Sequence, residues 1–390
     1  MYNCKCKKKF LQIHFKGDKV KSDFQNGNGE SAINLPKNDR REFITNSARL
    51  GLALFGGSML LANHANAASN SAANSGASAN SKAGAANLAQ NSGANSSTGA
   101  NLGAMPTFTL NNGVVMPAAG FGTLKLGDTA ATQKAVEQAL EAGYRLIDTA
   151  QSYANEEGVG LALKATGVKR EELFITTKLF RPYANEKLAG KAYYESLKKL
   201  KIDYADLYLI HQPVNDTYGA WRAMSSLYKK KDVRAIGVSN FNPARIMDFV
   251  QNNEIKPAVN QIECHPHFQQ EFALQNLKAL GIQMEAFSPL KQTRDGILTD
   301  KTLAKIARAH GKSVAQVILR WVYQRGIVSI AKTSKPERMR ENLAIFDFEL
   351  SAADMAQIAK LETNKPLLDH QDPQRIKWFN ERTAGESLKR

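Results

Sequence analysis

Four residues in the middle of the chain have the types and the order needed to move a proton: Asp148, Tyr153, Lys178 and His211. A free phenol has a pKa of about 10 and gives up its proton reluctantly at neutral pH. An ammonium within about 4–6 Å favours the phenolate and lowers that value. Lys178 is the expected ammonium for Tyr153, with Asp148 keeping it charged and aimed. Lowering a phenol by about two units takes about 2.7 kcal/mol, which one partly desolvated ion contact supplies. A tyrosine tuned in this way is a general acid for a developing alkoxide. His211, expected to be neutral, would orient the same oxygen. Taken singly, each residue has a plainer reading as a helix cap, a loop aromatic or a buried histidine. Their succession is what points to chemistry.

The elements around them say how they are held. Arg145-Leu146-Ile147 is a short apolar run that stops at Asp148, where burial is costly without a cationic partner. Tyr153 follows on a loop, and Glu156 begins a helical pattern through Val159 and Leu163. Upstream, Phe108 to Val115 reads as a β-hairpin around Asn112-Gly113. Eight strands are expected at Ala118–Thr123, Arg145–Thr149, Leu173–Leu179, Ala205–His211, Arg234–Ser239, Ala258–Glu263, Gln283–Ser288 and Ile327–Lys332. Helical stretches such as Thr129–Ala142 and Asn185–Lys199 separate them. Short apolar strands alternating with helices mean parallel pairing, and eight such units predict an α/β fold, a closed (β/α)8 TIM barrel with an N-terminal hairpin cap. The rival, a doubly wound open sheet, wants a Gly-rich fingerprint after its first strand. Gly120-Phe121-Gly122 begins one, but Lys125 stands where its third glycine belongs.

In such a barrel, polar groups at strand C-termini read as function. Those ends are Asp148 with Tyr153, then Lys178, His211, Ser239-Asn240, Gln261, Ser288 and Lys332-Thr333-Ser334. A hydrolase or isomerase on this scaffold would want paired carboxylates or metal ligands at the mouth, and Asp148 reads as standing without such a partner. Cys264-His265-Pro266-His267 reads as a strand-to-loop turn, so no metal is expected.

The formal charge of +16 is uneven: residues 1–67 contribute +6, leaving +10 over 68–390. That excess suits anionic small molecules; lysine clusters without interleaved aromatics argue against nucleic acid. Of three cysteines, Cys4, Cys6 and Cys264, two lie in the leader, so the mature chain has no disulfide to form. Residues 1–67 read as an export leader: Arg40-Arg41 before Phe43, an apolar run Leu50–Ala62 too short to span a bilayer, and Ala65-Asn66-Ala67. The paired arginines resemble a twin-arginine signal, read by machinery that exports folded proteins. The expected location is periplasmic after cleavage at Ala67, or cytoplasmic if the leader is not functional. Residues 68–104, nearly all Asn, Ala, Ser and Gly, read as a disordered tether, and 105–390 as the barrel and its C-terminal loop.

Several ordered motifs carry a family resemblance. Gly120–Thr123, Asp148–Gly160, Ile175–Lys178, Leu207–Pro213, Ile236–Phe241, Asn260-Gln261, Phe287–Leu290 and Lys332–Asn342 together resemble aldo-keto reductases. Within the family they are most like a bacterial branch that includes diketogluconate reductase-like enzymes. The likeness runs from about Phe108 to Leu361, outside the leader and tether. It implies Tyr153 as proton donor, Lys178 and Asp148 as its tuning partners, and His211 as the carbonyl-orienting group. It further implies that Ser239, Asn240 and Gln261 hold a nicotinamide carboxamide and that Phe287 stacks on the ring, with Thr123, Ser288 and Leu290 also on the cofactor. Leu124, Phe180 and His211 would face the substrate. Leu124 and Phe180 stand where the family commonly has tryptophan, as does Gln212 after the histidine, so the substrate mouth is expected to be wide and little aromatic.

The Lys332–Asn342 segment also has a physical reading. A strand-end lysine, the hydroxyls of Thr333 and Ser334 and a helix N-terminus make an anion site, and Arg338 adds a planar fork for phosphate or adenine. With Glu341 and Asn342 this segment is expected to grip the 2′-phosphate of NADP, making NADPH/NADP the cofactor. The sequence thus predicts an NADPH-dependent reductase of small aldehydes or ketones, with a monomer expected but the oligomeric state not fixed by the sequence. The rival from another class is a cofactor-bound sensor on the same barrel, which has no need of a tuned acid. The tail from Asn364 onward is expected to fold over the barrel mouth.

Overall fold

The structure is a computed structural model that describes residues 105–381 and, upstream, His14–Phe15 paired antiparallel with Asp18–Lys19. The remaining expectations for the leader and tether lie outside the described residues.

The domain opens with a hairpin of β1 (Thr107–Thr109) and β2 (Val115–Pro117). Its turn passes through Gly113 at φ 84°, where a side chain would be strained. Asn111 Nδ2 donates to the Pro257 carbonyl at 2.9 Å and Asn112 Nδ2 to that of Arg234 at 3.0 Å, which pins the turn to the barrel floor. Leu110 and Met116 fill the space beneath Leu146, Phe174 and Leu207. The hairpin is therefore a plug, as expected, held mainly by apolar burial.

Eight parallel strands follow: β3 (Ala119–Gly122), β4 (Leu146–Asp148), β5 (Phe174–Leu179), β6 (Ala205–Ile210), β7 (Val233–Ser239), β8 (Val259–Glu263), β9 (Gln283–Phe287) and β10 (Val328–Ala331). Each pairs with the next in sequence, and β10 closes on β3, giving the expected (β/α)8 TIM barrel. The Gly120-x-Gly122 motif is packing rather than a phosphate loop. A Cβ on Gly120 would stand 2.3 Å from Leu146 Cδ2 and 2.5 Å from Ile330 Cδ1.

Helices α1 (Thr129–Glu141), α2 (Glu156–Ala165), α3 (Ala189–Leu200), α4 (Thr217–Lys229), α5 (Pro243–Gln251) and α6 (Glu271–Leu280) connect β3 to β9 in turn. Two helices, α7 (Lys301–His310) and α8 (Val314–Gln324), lie between β9 and β10. The tail carries α9 (Pro336–Leu343), α10 (Ala352–Ala359) and α11 (Pro373–Glu381). Where α3 was expected from Asn185, it begins at Ala189. Asn185 Oδ1 accepts from the backbone N–H of Lys187 and Leu188, an alternative to the helical ladder. Gly160 lets α2 approach α3 closely, since a Cβ there would meet the Lys199 carbonyl at 2.3 Å.

At the barrel floor Asp206 is fully buried and fully paired. It takes Arg170 Nη2 at 2.7 Å, Arg234 Nη1 at 2.6 Å and the Ile175 N–H at 2.8 Å.

Candidate active site

The strand C-termini open onto a cavity of about 470 Å³, whose wall includes Asp148, Tyr153, His211, Asn240, Gln261 and Phe287. β4 ends at Asp148, and a single 3-10 turn, Gln151–Tyr153, carries the phenol back over the mouth. That turn is tied down from below. Gln151 Oε1 accepts from the Phe180 N–H at 2.8 Å, and its Nε2 donates to the Ala192 carbonyl at 2.7 Å. Asn155, buried at the start of α2, donates to the Thr123 carbonyl at 2.8 Å.

Lys178, from β5, lies wholly beneath the cavity floor. Its Nζ reaches Asp148 Oδ1 at 2.5 Å, the Thr149 carbonyl at 2.9 Å and the Tyr153 hydroxyl at 3.4 Å. An ammonium has three donors, and these are three partners. Burial acts to strip the proton from Lys178, but Asp148, Tyr153 and Glu285 outweigh it, and its pKa rises above the ordinary lysine value. The ammonium is therefore permanent at neutral pH.

Tyr153 differs from expectation in one respect. Burial raises its pKa, Lys178 lowers it, and Asp148 and Glu285 raise it again, so the net shift is upward from 10. Lys178 acts in the expected direction and is outweighed by loss of solvent. The phenol thus keeps its proton until something takes it, which a proton donor must do, and the ammonium favours the phenolate left behind.

His211 follows β6, with its ring 5.6 Å from that of Tyr153 at 77°. Its Nδ1 is 3.2 Å from Ser152 Oγ. Burial, then Lys178 and His370, push its pKa well below the ordinary histidine value, so the ring is neutral as expected.

At the next two strand ends, Ser239 Oγ donates to the Gln261 carbonyl at 2.8 Å. Asn240 Nδ2 donates to the His211 carbonyl at 2.9 Å and to Ser239 Oγ at 3.0 Å. Gln261 Nε2 donates to Asp148 Oδ2 at 2.8 Å and to Glu285 Oε2 at 2.7 Å. With both amide protons used in each case, what Asn240 and Gln261 can offer a ligand is their carbonyl oxygens.

Leu124, Phe287, Ser288, Leu290 and Lys332 also line the cavity. Thr123 is buried behind the wall, its Oγ1 bonded to the Asp148 carbonyl at 3.1 Å. Thr333, Ser334 and Arg338 lie at or near the surface where β10 runs into α9, and Glu341 is half-buried. Asn342 is buried and hydrogen-bonds Tyr144 within the fold, away from the cavity. Phe180 is also buried and does not line the cavity; its ring lies 6.3 Å from that of Tyr183.

Sequence reasoning missed Glu285. Asp148 is not without an acidic partner, because Glu285 shares the Gln261 amide with it. Burial, then Asp148, raises the Glu285 pKa to about 8. Its signal was present: one carboxylate inside the otherwise apolar run Met284–Phe287. Fully buried beneath the mouth, it cannot serve as the second carboxylate of a hydrolase. Also missed was Glu263, which takes the backbone N–H groups of Leu367 at 2.6 Å and Leu368 at 3.3 Å. This fixes the tail over the barrel, where Leu367, Leu368 and His370 complete the cavity rim, as expected of that segment.

The sequence model of the aldo/keto reductase family matches residues 118–363. A glyoxal reductase of Bacillus subtilis (strain 168) is 47% identical over 260 residues, covering 66% of this chain and 94% of its own length. A morphine 6-dehydrogenase of Pseudomonas putida is 44% identical over 275 residues, covering 67% and 93%. Among solved structures, a Bombyx mori aldo-keto reductase in complex with NADP superposes with a TM-score of 0.65 at 36% identity, covering 68% of this chain and 95% of its own.

Proposed function

The chain belongs to the aldo/keto reductase family, and on that premise we propose that it is an NADPH-dependent reductase of small aldehydes and ketones in which Tyr153 is the proton donor. The observation that carries this reading is the buried contact of Lys178 with Asp148, Thr149 and Tyr153 directly under a cavity. A pure binding module has no need of an ammonium held against a phenol.

The residues fit the cofactor. A nicotinamide carboxamide presents two N–H donors, and Asn240 and Gln261 each have a carbonyl oxygen left to accept one. Phe287 lines the same cavity, where its ring could stack on the nicotinamide. Lys332, Thr333, Ser334 and Arg338 cluster at the N-terminus of α9, where an added phosphate would find backbone N–H groups and two cations. Bound there, NADPH would supply the hydride.

The chain does the rest. The substrate oxygen would sit between the Tyr153 hydroxyl and His211. A Ser152 hydroxyl donating to Nδ1 leaves the imidazole proton on Nε2, free to hold that oxygen. As negative charge grows on the oxygen, Tyr153 gives up its proton, and Lys178 stabilises the phenolate. Asp148 and the Thr149 carbonyl keep the ammonium from following the proton out. Reprotonation of Tyr153 from solvent resets the site.

Substrate selection would fall to Leu124, Gln212 and the tail residues Leu367, Leu368 and His370, a rim less aromatic than tryptophan would make it. We further propose, from the paired arginines, the short apolar run Leu50–Ala62 and Ala65-Asn66-Ala67, that the enzyme works outside the cytoplasm. A panel of aldehydes and ketones with NADPH, followed by loss of absorbance, tests the reading. Turnover of several small carbonyls is expected, and oxidation of NADPH by none of them would sink it in favour of a sensor.

A further inference from the structure

Glu285 lies in the middle of β9 with no exposed surface. Gln261 is its partner in register on β8, and Val328 on β10. Its strand neighbours Met284 and Ala286 point to the opposite face and pack in the apolar cluster with the helices, whereas Glu285 meets Gln261 inside the barrel. Gln261 donates one amide proton to Glu285 and the other to Asp148, which in turn holds Lys178 against Tyr153. An unbroken hydrogen-bond chain therefore joins Glu285 to the phenol. The second Glu285 oxygen, Oε1, has no partner among the described residues. An apolar side chain at this position would leave one Gln261 N–H buried and unpaired.

We propose that Glu285 is a positioning residue of the proton relay: it anchors Gln261 as the clamp on Asp148, and its charge state sets how far Lys178 can favour the Tyr153 phenolate. This rests on Tyr153 being the donor. The charged and titratable groups facing Glu285 are Asp148 from β4, Lys178 from β5 and Tyr153 beyond it; β8 presents neutral Gln261 and β10 presents Val328. While Glu285 is neutral, one ammonium faces one carboxylate. Once it ionises, two carboxylates share that ammonium, the phenol holds its proton harder, and the acid weakens. Burial and the nearby Asp148 place that ionisation just above neutrality.

The test is the pH dependence of kcat for reduction of one aldehyde, in wild type, Glu285→Gln and Glu285→Leu. Wild type is expected to lose activity about tenfold along an alkaline limb centred near pH 8. Glu285→Gln keeps an acceptor for Gln261 but cannot ionise, so its limb should move up by at least about one pH unit. Glu285→Leu at pH 7 should fall about tenfold or more below Glu285→Gln, since only the latter keeps Gln261 paired. A limb shared by wild type and Glu285→Gln, or its absence from wild type, overturns the proposal, as does equal kcat in the two variants. If the leucine variant does not fold, the comparison of wild type with Glu285→Gln decides alone. Tyr153→Phe run alongside separates the two readings. Lost turnover there with an unmoved limb refutes the role of Glu285 only, whereas undiminished turnover refutes Tyr153 as donor.

Discussion

The Lys178 ammonium lies 3.4 Å from the Tyr153 hydroxyl and is fully buried, while the phenol stands partly open to the cavity. One side of this contact is dry protein and the other is where a substrate would enter. The charge that stabilises a phenolate is thus fixed before any substrate arrives, which costs no reorganisation during the reaction.

Breaking the ion pair should separate stability from activity. Lys178→Met leaves Asp148 buried without its cation, at a cost of about 3–5 kcal/mol, and should lower kcat by about 100-fold or more. The double variant Asp148→Asn/Lys178→Met should recover most of that stability but none of the lost kcat. Urea unfolding and steady-state rates measure the two quantities. Recovery of both together would mean that the pair is structural.

The anion site proposed at the end of β10 predicts a cofactor preference. Lys332→Ala and Arg338→Ala should each weaken NADPH binding about tenfold, with a much smaller effect on NADH. Fluorescence titration of both cofactors measures this, and equal losses would move the phosphate elsewhere.

Much of this site was legible because a barrel puts its chemistry at strand ends. Asp148, Lys178, His211 and Asn240 are found at or next to the ends of apolar runs, and their order in sequence is their order around the barrel. What was not legible depends on side-chain direction. Glu285 and Gln261 both lie inside strands, and only the register of β8 with β9 sets them side by side. Phe180 and Asn342, expected near ligands from their positions in the chain, are buried and do not line this cavity, and Asn342 bonds to Tyr144. The net upward shift of Tyr153 was missed for a related reason. Sequence names the nearby cation, but the extent of desolvation belongs to the folded site.

The open rim near His211 predicts selectivity. Gln212→Trp should lower kcat/KM for bulky aryl ketones about tenfold while changing that for the smallest aldehydes little. A size series of carbonyls tests this; a uniform change across the series would place Gln212 outside the substrate path.

The proposed export predicts a chain start. Mature protein recovered from outside the cytoplasm should begin at Ala68, and replacing Arg40 and Arg41 with lysine should retain it inside. Edman sequencing that reads from Met1 in exported material would contradict the leader.

Carbonyl reduction at this site depends most directly on the Tyr153 phenol. In a single-turnover experiment with NADPH and a small aldehyde, Tyr153→Phe should slow cofactor oxidation by about 1,000-fold or more, with NADPH affinity changed little. A variant that oxidises NADPH at the wild-type rate would show that the proton comes from somewhere else.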